Sequence, residues 1–196
     1  MSEKWKKIVA IASSTGGPKA LQQFIPLLPK NLDAPVVLVQ HMPAGFTRAL
    51  ADRLNEISPI KVSEAVEGEK LEKSHVYLAM GGRHMNVKRM AKDYVIHYSD
   101  EPPREGVRPC ANYMFESLMD SCFEEVVCVV LTGMGADGTA GIKNLKTKKK
   151  VTIIVQGEET CTVYGMPRAA VKAGLVEKGF SLESIAQQIV ENVGVY

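Results

Sequence analysis

Three segments of this 196-residue chain carry side chains that together could hydrolyse an acyl bond. Ser13 and Ser14 stand in "IASSTGGP", His41 in "VVLVQHMPAGFT" and Asp137 in "VVLTGMGADGTAG". A serine hydroxyl can attack a carbonyl while a histidine takes its proton. An aspartate then fixes the imidazole's tautomer and stabilises imidazolium. The chain order Ser, His, Asp differs from the α/β-hydrolase, chymotrypsin and subtilisin orders, and no GxSxG elbow is present. A lipase-like esterase is therefore not supported.

Each segment also has a plainer meaning. Glycines before a helix expose main-chain N–H groups to an anion, so "SSTGG" could bind phosphate or simply make a tight turn. It has no GxGxxG pattern and no P-loop lysine. His41 alone suits a structural histidine at a strand end. Asp137 alone suits a helix cap before Gly138 and Thr139. A nucleotide- or anion-binding module is thus the rival to a hydrolase. A fluorophosphonate probe separates the two, since it labels an activated Ser14 and not a passive turn. At Asp137 itself, Asp137→Asn separates the readings: a cap tolerates asparagine, whereas a triad loses turnover with little change in stability.

What must position these residues is a set of alternating strands and helices. Residues 7–12, 34–40, 60–66, 76–80, 126–131 and 151–156 read as strands. Several are apolar on both faces, as in a covered parallel sheet. Helical patterns fill 18–28, 47–57, 109–120, 139–145 and 167–173. Pro18 is placed at a first helical position and Thr47 at a cap. Ser181 caps a last helix through Val193, with Ile185, Ile189 and Val193 on one face. Residues 85–88 and 94–98 alternate around a turn and predict a hairpin. The fold expected is α/β: a doubly wound, mostly parallel β-sheet with helices on both faces, Rossmann-like in three layers, with a β-hairpin at one edge. Ligands of such sheets bind beyond the carboxyl ends of the strands, where Ser14, His41 and Asp137 all fall.

Composition narrows the rest. A net charge of +2 gives no general affinity for nucleic acid. The runs at residues 4–7 and 148–150 read as solvated strand flanks. Cys110, Cys122, Cys128 and Cys161 form no CxxC pair and have no metal-ligand spacing. That usage suits a reducing cytoplasm. There is no signal-peptide h-region and no run of about 18 apolar residues to cross a membrane. His75, His84 and His97 also lack ligand spacing, and His84 reads as structural or site-lining.

Six stretches in order, "IASSTGGP", "VVLVQHMPAGFT", "MGGRHM", "RPCANYMFESL", "VVLTGMGADGTAG" and "TVYGMPRAA", resemble the CheB family of chemotaxis protein-glutamate methylesterases. The likeness is to their C-terminal catalytic domain and spans residues 6–193. It implies a cofactor-free, metal-free serine hydrolase that removes methyl groups from glutamate γ-methyl esters on chemoreceptor helices, releasing methanol. It also implies deamidation of receptor glutamines. By position it makes Ser14 the nucleophile, His41 the base and Asp137 its orienting acid. Thr15, Gly16, Gly17 and Met134 lie beside them, with the Thr15 and Met134 N–H groups as oxyanion donors. Ser13 stands where the family often has alanine, which implies packing against the sheet. Ala12 replaces a usual glycine, and lysines replace glycines at 148–150.

The resemblance further implies that residues 1–196 form a single catalytic domain. The phosphorylatable receiver domain common in the family is absent from this chain. The implied partners are the cytoplasmic domain of a methyl-accepting receptor and, in full-length form, a receiver domain with its histidine kinase. No nucleic acid and no membrane insertion are implied. An esterase for a small-molecule ester remains a second alternative.

Overall fold

The structure is a computed structural model and describes residues 6–196. Lys4 and Trp5 of the first basic run lie outside the described residues. Six strands form one parallel sheet: β1 (Lys7–Ser13), β2 (Val36–Gln40), β3 (Lys61–Glu64), β4 (His75–Leu78), β7 (Glu125–Val130) and β8 (Lys150–Val155). Their order is β3-β4-β2-β1-β7-β8. The chain builds outward from β1 on one side and then returns through β7 on the other. The switch point therefore lies between β1 and β7, where ligands of open sheets bind.

Strand alternation explains the layers. Ile8, Ala10 and Ala12 of β1 enter one core, and Val9 and Ile11 enter the other. Helices α3 (Ala111–Ser117), α4 (Thr139–Lys146) and α5 (Met166–Lys172) cover the first face through Met114, Phe115, Ile142, Leu145, Met166 and Ala170. Helices α1 (Gly17–Phe24), α2 (Thr47–Ile57) and α6 (Leu182–Val193) cover the second through Leu21, Phe24, Leu50, Leu54, Ile185 and Ile189. The Ser181 hydroxyl accepts the Ser184 N–H at 3.2 Å and caps α6 as its sequence predicts.

The expected hairpin is present as β5 (His84–Met90) and β6 (Asp93–Ser99). It forms a two-stranded sheet of its own and packs against α3.

Four local expectations are corrected. Helix α1 starts at Gly17, one residue before Pro18, and a 3₁₀ turn (Ile25–Leu27) ends the apolar run. Strand β3 is shorter than 60–66. Thr47 does not cap α2. The cap position is Phe46, and the buried Thr47 hydroxyl instead donates to Glu64 Oε1 at 3.3 Å and accepts the Gly81 N–H at 3.1 Å. Of the lysines at 148–150, Lys148 and Lys150 are exposed as expected, and Lys149 is half-buried. Lys148 pairs with Asp120, Lys149 Nζ donates to the Ser121 and Phe123 carbonyls, and Lys150 lies 3.0 Å from Glu125.

Candidate active site

The site is assembled where β1, β2 and β7 end. Ser13 is the register partner of Gln40, so Ser14 and His41 are the next residues on adjacent strands. The His41 N–H donates to the Ser13 carbonyl at 3.0 Å, and the Ser14 N–H donates to the Thr132 carbonyl just past β7, at 2.9 Å. The Thr132 hydroxyl donates to the Thr15 carbonyl at 2.9 Å. Gln156, at the end of β8, accepts the Thr132 N–H at 2.8 Å. The nucleophile turn is thus held from both sides by main-chain bonds.

That turn leaves the strand through Thr15 and Gly16. Gly16 has φ 80°, a left-handed conformation that costs glycine little and most other residues 1 kcal/mol or more. Gly17 then opens α1. Ser14 is half-buried and Thr15 exposed. Among the described residues, the N–H groups of Thr15 and Met134 have no hydrogen-bond partner, and Met134 itself is 73% exposed at the rim.

His41 and Asp137 meet directly. His41 Nε2 lies 2.7 Å from Asp137 Oδ2, with the two side chains 11% and 3% exposed. Burial pushes the Asp137 carboxyl up. The bond from His41, with those from Ala111, Cys110 and Asn112, outweighs burial and holds it below the usual aspartate range. Asp137 is therefore an anion, Nε2 carries the proton, and Nδ1 is the nitrogen left to act as a base. Among the described residues no hydrogen bond joins Ser14 Oγ to the imidazole. Such bonds are often open until substrate is bound.

Asp137 does cap a helix, but not the one that follows it. Its Oδ2 accepts the Ala111 N–H at 2.6 Å, and its Oδ1 accepts the Asn112 N–H at 2.9 Å. Both groups belong to the first turn of α3. In return the buried Asn112 side chain reaches the start of α4. Its Oδ1 accepts the Gly138 N–H at 2.9 Å and the Gly141 N–H at 2.7 Å. The two helices cap each other, and the carboxylate is fixed between them.

Cys110 adds a further donor, with Sγ 3.0 Å from Asp137 Oδ1. Burial, with the Asp137 charge beside it, pushes that thiol up to about 12, so it stays protonated. Buried His84 accepts the Cys110 N–H on Nδ1 at 3.1 Å, while Nε2 lies 3.3 Å from the Pro102 carbonyl. Burial holds His84 below its ordinary range, which keeps it neutral and fit to accept that N–H. It is a structural residue behind the site.

Sequence reasoning had no role for Cys110, Asn112, Thr132, Gln40 or Gln156. The available signal was a polar residue at each strand end, which in Gln40 and Gln156 is a buried amide.

The CheB methylesterase family model matches residues 9–189. The chain is 49% identical over 190 residues to the protein-glutamate methylesterase/protein-glutamine glutaminase of Bacillus subtilis (strain 168), covering 96% of this chain and 53% of that protein. It is 45% identical to a namesake from Syntrophomonas wolfei, covering 95% of this chain and 54% of that one. This chain therefore spans about half the length of those relatives. The crystal structure of the Thermotoga maritima CheB methylesterase catalytic domain superposes with a TM-score of 0.91 at 38% identity, over 95% of this chain and 98% of that one.

Proposed function

Since this chain belongs to the CheB methylesterase family, we propose that it is a serine hydrolase that demethylates glutamate γ-methyl esters on chemoreceptor cytoplasmic helices and deamidates receptor glutamines. The observation that carries this reading is the 2.7 Å bond from His41 Nε2 to a buried, ionised Asp137, one strand end away from Ser14.

Ser14 Oγ attacks the ester carbonyl carbon, and its proton passes to His41 Nδ1. The charge developing on the carbonyl oxygen is met by the N–H groups of Thr15 and Met134. The carbon–methoxy bond then breaks, and His41 returns the proton so that methanol leaves. The glutamyl ester on Ser14 is hydrolysed by water, whose proton again goes to His41 and then to Ser14, releasing glutamate. With a glutamine side chain the same steps release ammonia. Asp137 holds the imidazole and stabilises its charged form throughout. Gly16 and Gly17 shape the turn that presents Ser14.

The chain acts in this reading as one catalytic unit of a cytoplasmic adaptation enzyme. In full-length form it works with a phosphorylatable receiver domain and its histidine kinase. Among the described residues no helix is long and apolar enough to cross a membrane. The support for the receptor substrate is the name shared by the relatives.

The test pairs a fluorophosphonate probe with a methylated receptor cytoplasmic fragment. Labelling at Ser14 and methanol release are expected. Ser14→Ala should abolish labelling and lower turnover by at least ~10³-fold, because triad members act as a unit. An unlabelled parent would favour the anion-binding module. A labelled parent that releases no methanol from the receptor fragment would favour a small-molecule ester.

A further inference from the structure

Gln40 is the last residue of β2, directly before the proposed base, and its side chain is 2% exposed. Its amide has three near partners. Nε2 donates to the Ser14 carbonyl at 3.0 Å and to the His41 carbonyl at 3.1 Å. Oε1 accepts the Ser13 hydroxyl at 2.7 Å. The opposite orientation would set an amide oxygen against two carbonyl oxygens, so the network fixes which end is which. Gly17 closes the pocket, since a Cβ there would stand 1.8 Å from Gln40 Oε1.

From this geometry we infer that Gln40 is a positioning residue for catalysis: one buried amide clamps the peptide of the nucleophile to the peptide of the base. Both protons on one nitrogen are used, one on each residue. The clamp fixes the spacing of two segments from different strands, beyond the last bond of their ladder. Ser13 has a part in it as well. Its hydroxyl turns the amide so that the nitrogen faces the two carbonyls, which accounts for a buried serine at a position where packing alone would take alanine. The inference rests on the hydrolase reading of Ser14 and His41.

Gln40→Glu keeps shape and volume but replaces the shared donor by an acceptor, so at neutral pH two carbonyl oxygens face a carboxylate. Three quantities are read on parent and variant: kcat and KM for methyl-ester hydrolysis, the fluorophosphonate labelling rate, and the labelled fraction at completion. Labelling counts the competent sites, so rate per competent site is separated from loss of folded protein. A per-site labelling rate and a kcat both lower by ~10- to 100-fold, with KM within about 3-fold of the parent, are expected for a misplacement of this kind. The deficit should narrow as pH falls, because a protonated carboxyl regains one donor. Ser13→Ala should lose several-fold in the same two quantities.

A merely structural amide would lower the melting temperature and the labelled fraction and leave the per-site rate at the parent's value. That result overturns the inference. If Gln40→Glu does not fold, Gln40→Met carries the same measurement with the same two outcomes. Failure of the hydrolase reading is distinguishable, because then the parent itself does not label.

Discussion

At the scale of single residues, Asp137 is the most constrained side chain of the site. Its two oxygens accept from His41 Nε2, the Ala111 and Asn112 N–H groups and Cys110 Sγ. Asparagine can be placed there in two ways, and in both its NH₂ faces existing donors. Turned one way it meets His41 and Ala111. Turned the other it meets Cys110 and Asn112. Asp137→Asn is therefore expected to lose at least ~10² in turnover, in the direction of the serine-protease precedent. Contrary to the sequence-based expectation of an undisturbed fold, it should also melt lower. Stranding a buried donor costs about 1–3 kcal/mol, and each kcal/mol lowers melting by about 2–4 °C in a chain of this size. Thermal melting and methyl-ester hydrolysis on the same protein check both halves. Parent-like turnover would remove Asp137 from the mechanism, and parent-like melting would remove the cap. The sequence showed Asp137 at a strand end before a helix. It did not show which helix the carboxylate faces, because Ala111 and Asn112 come to it through the packing of α3 on α4. Gln40 escaped for a related reason. Its partners are main-chain carbonyls, which leave no mark on residue type.

At the scale of elements, the strands were legible because burial on both faces demands apolar residues at successive positions. The helix α6 was legible because its cap and its apolar face agree. What failed were ends decided by distant partners. Thr47 looked like a cap, but its hydroxyl is drawn to Glu64 and Gly81. Of the 148–150 lysines, Lys148 and Lys150 stay exposed as expected, but Lys149 is drawn to the Ser121 and Phe123 carbonyls ahead of β7. The mutual capping of α3 and α4 belongs at this scale and can be tested through Asn112. Asn112→Ala leaves the Gly138 and Gly141 N–H groups without their acceptor and frees the Glu105 carboxylate, which now accepts from Asn112 Nδ2 at 2.8 Å. The loss should lower melting by about 5 °C or more, at about 1–3 kcal/mol per stranded donor. It should also cut turnover, since Asp137 lies in the loop that α4 anchors. A loss of ~10-fold is expected, well short of Ser14→Ala. A variant that melts low but turns over at the parent's rate at a permissive temperature would show that the paired caps serve stability alone.

At the scale of the whole molecule, groups that make the fold sensitive to acid lie at both ends of one sheet, Asp137 and His84 among them at the catalytic end. The nucleophile, base and acid lie at the carboxyl edge. At the amino edge, His75 starts β4 and Glu125 starts β7. Burial, helped by the Lys61 charge, pushes His75 down to about 4, and its Nε2 lies 2.7 Å from Ser63 Oγ. Glu125 is buried too, which alone would raise it. Bonds from Thr152, Lys150, Asn192 and Lys7 outweigh that and bring it to about 2. The signs agree. In each case the unfolded chain takes up a proton at a higher pH than the folded one, so stability falls as pH falls. For His75 the loss runs from about 6.5 to about 4, and for Glu125 from about 4.5 to about 2. Acid should thus weaken the fold in two overlapping stages, the first carried by His75 together with the likewise depressed His84 and the second by Glu125. His75→Leu removes its share of that stage and leaves that of His84. Its melting temperature should change less than the parent's between pH 6.5 and pH 4, whatever its value at neutrality, and the steeper loss below that range should remain because Glu125 is untouched. Melting curves across pH 7 to 3 on both proteins decide it. Parallel curves down to pH 4 would mean that His75 takes up its proton in the fold as readily as in the open chain, and the first stage would have to arise elsewhere.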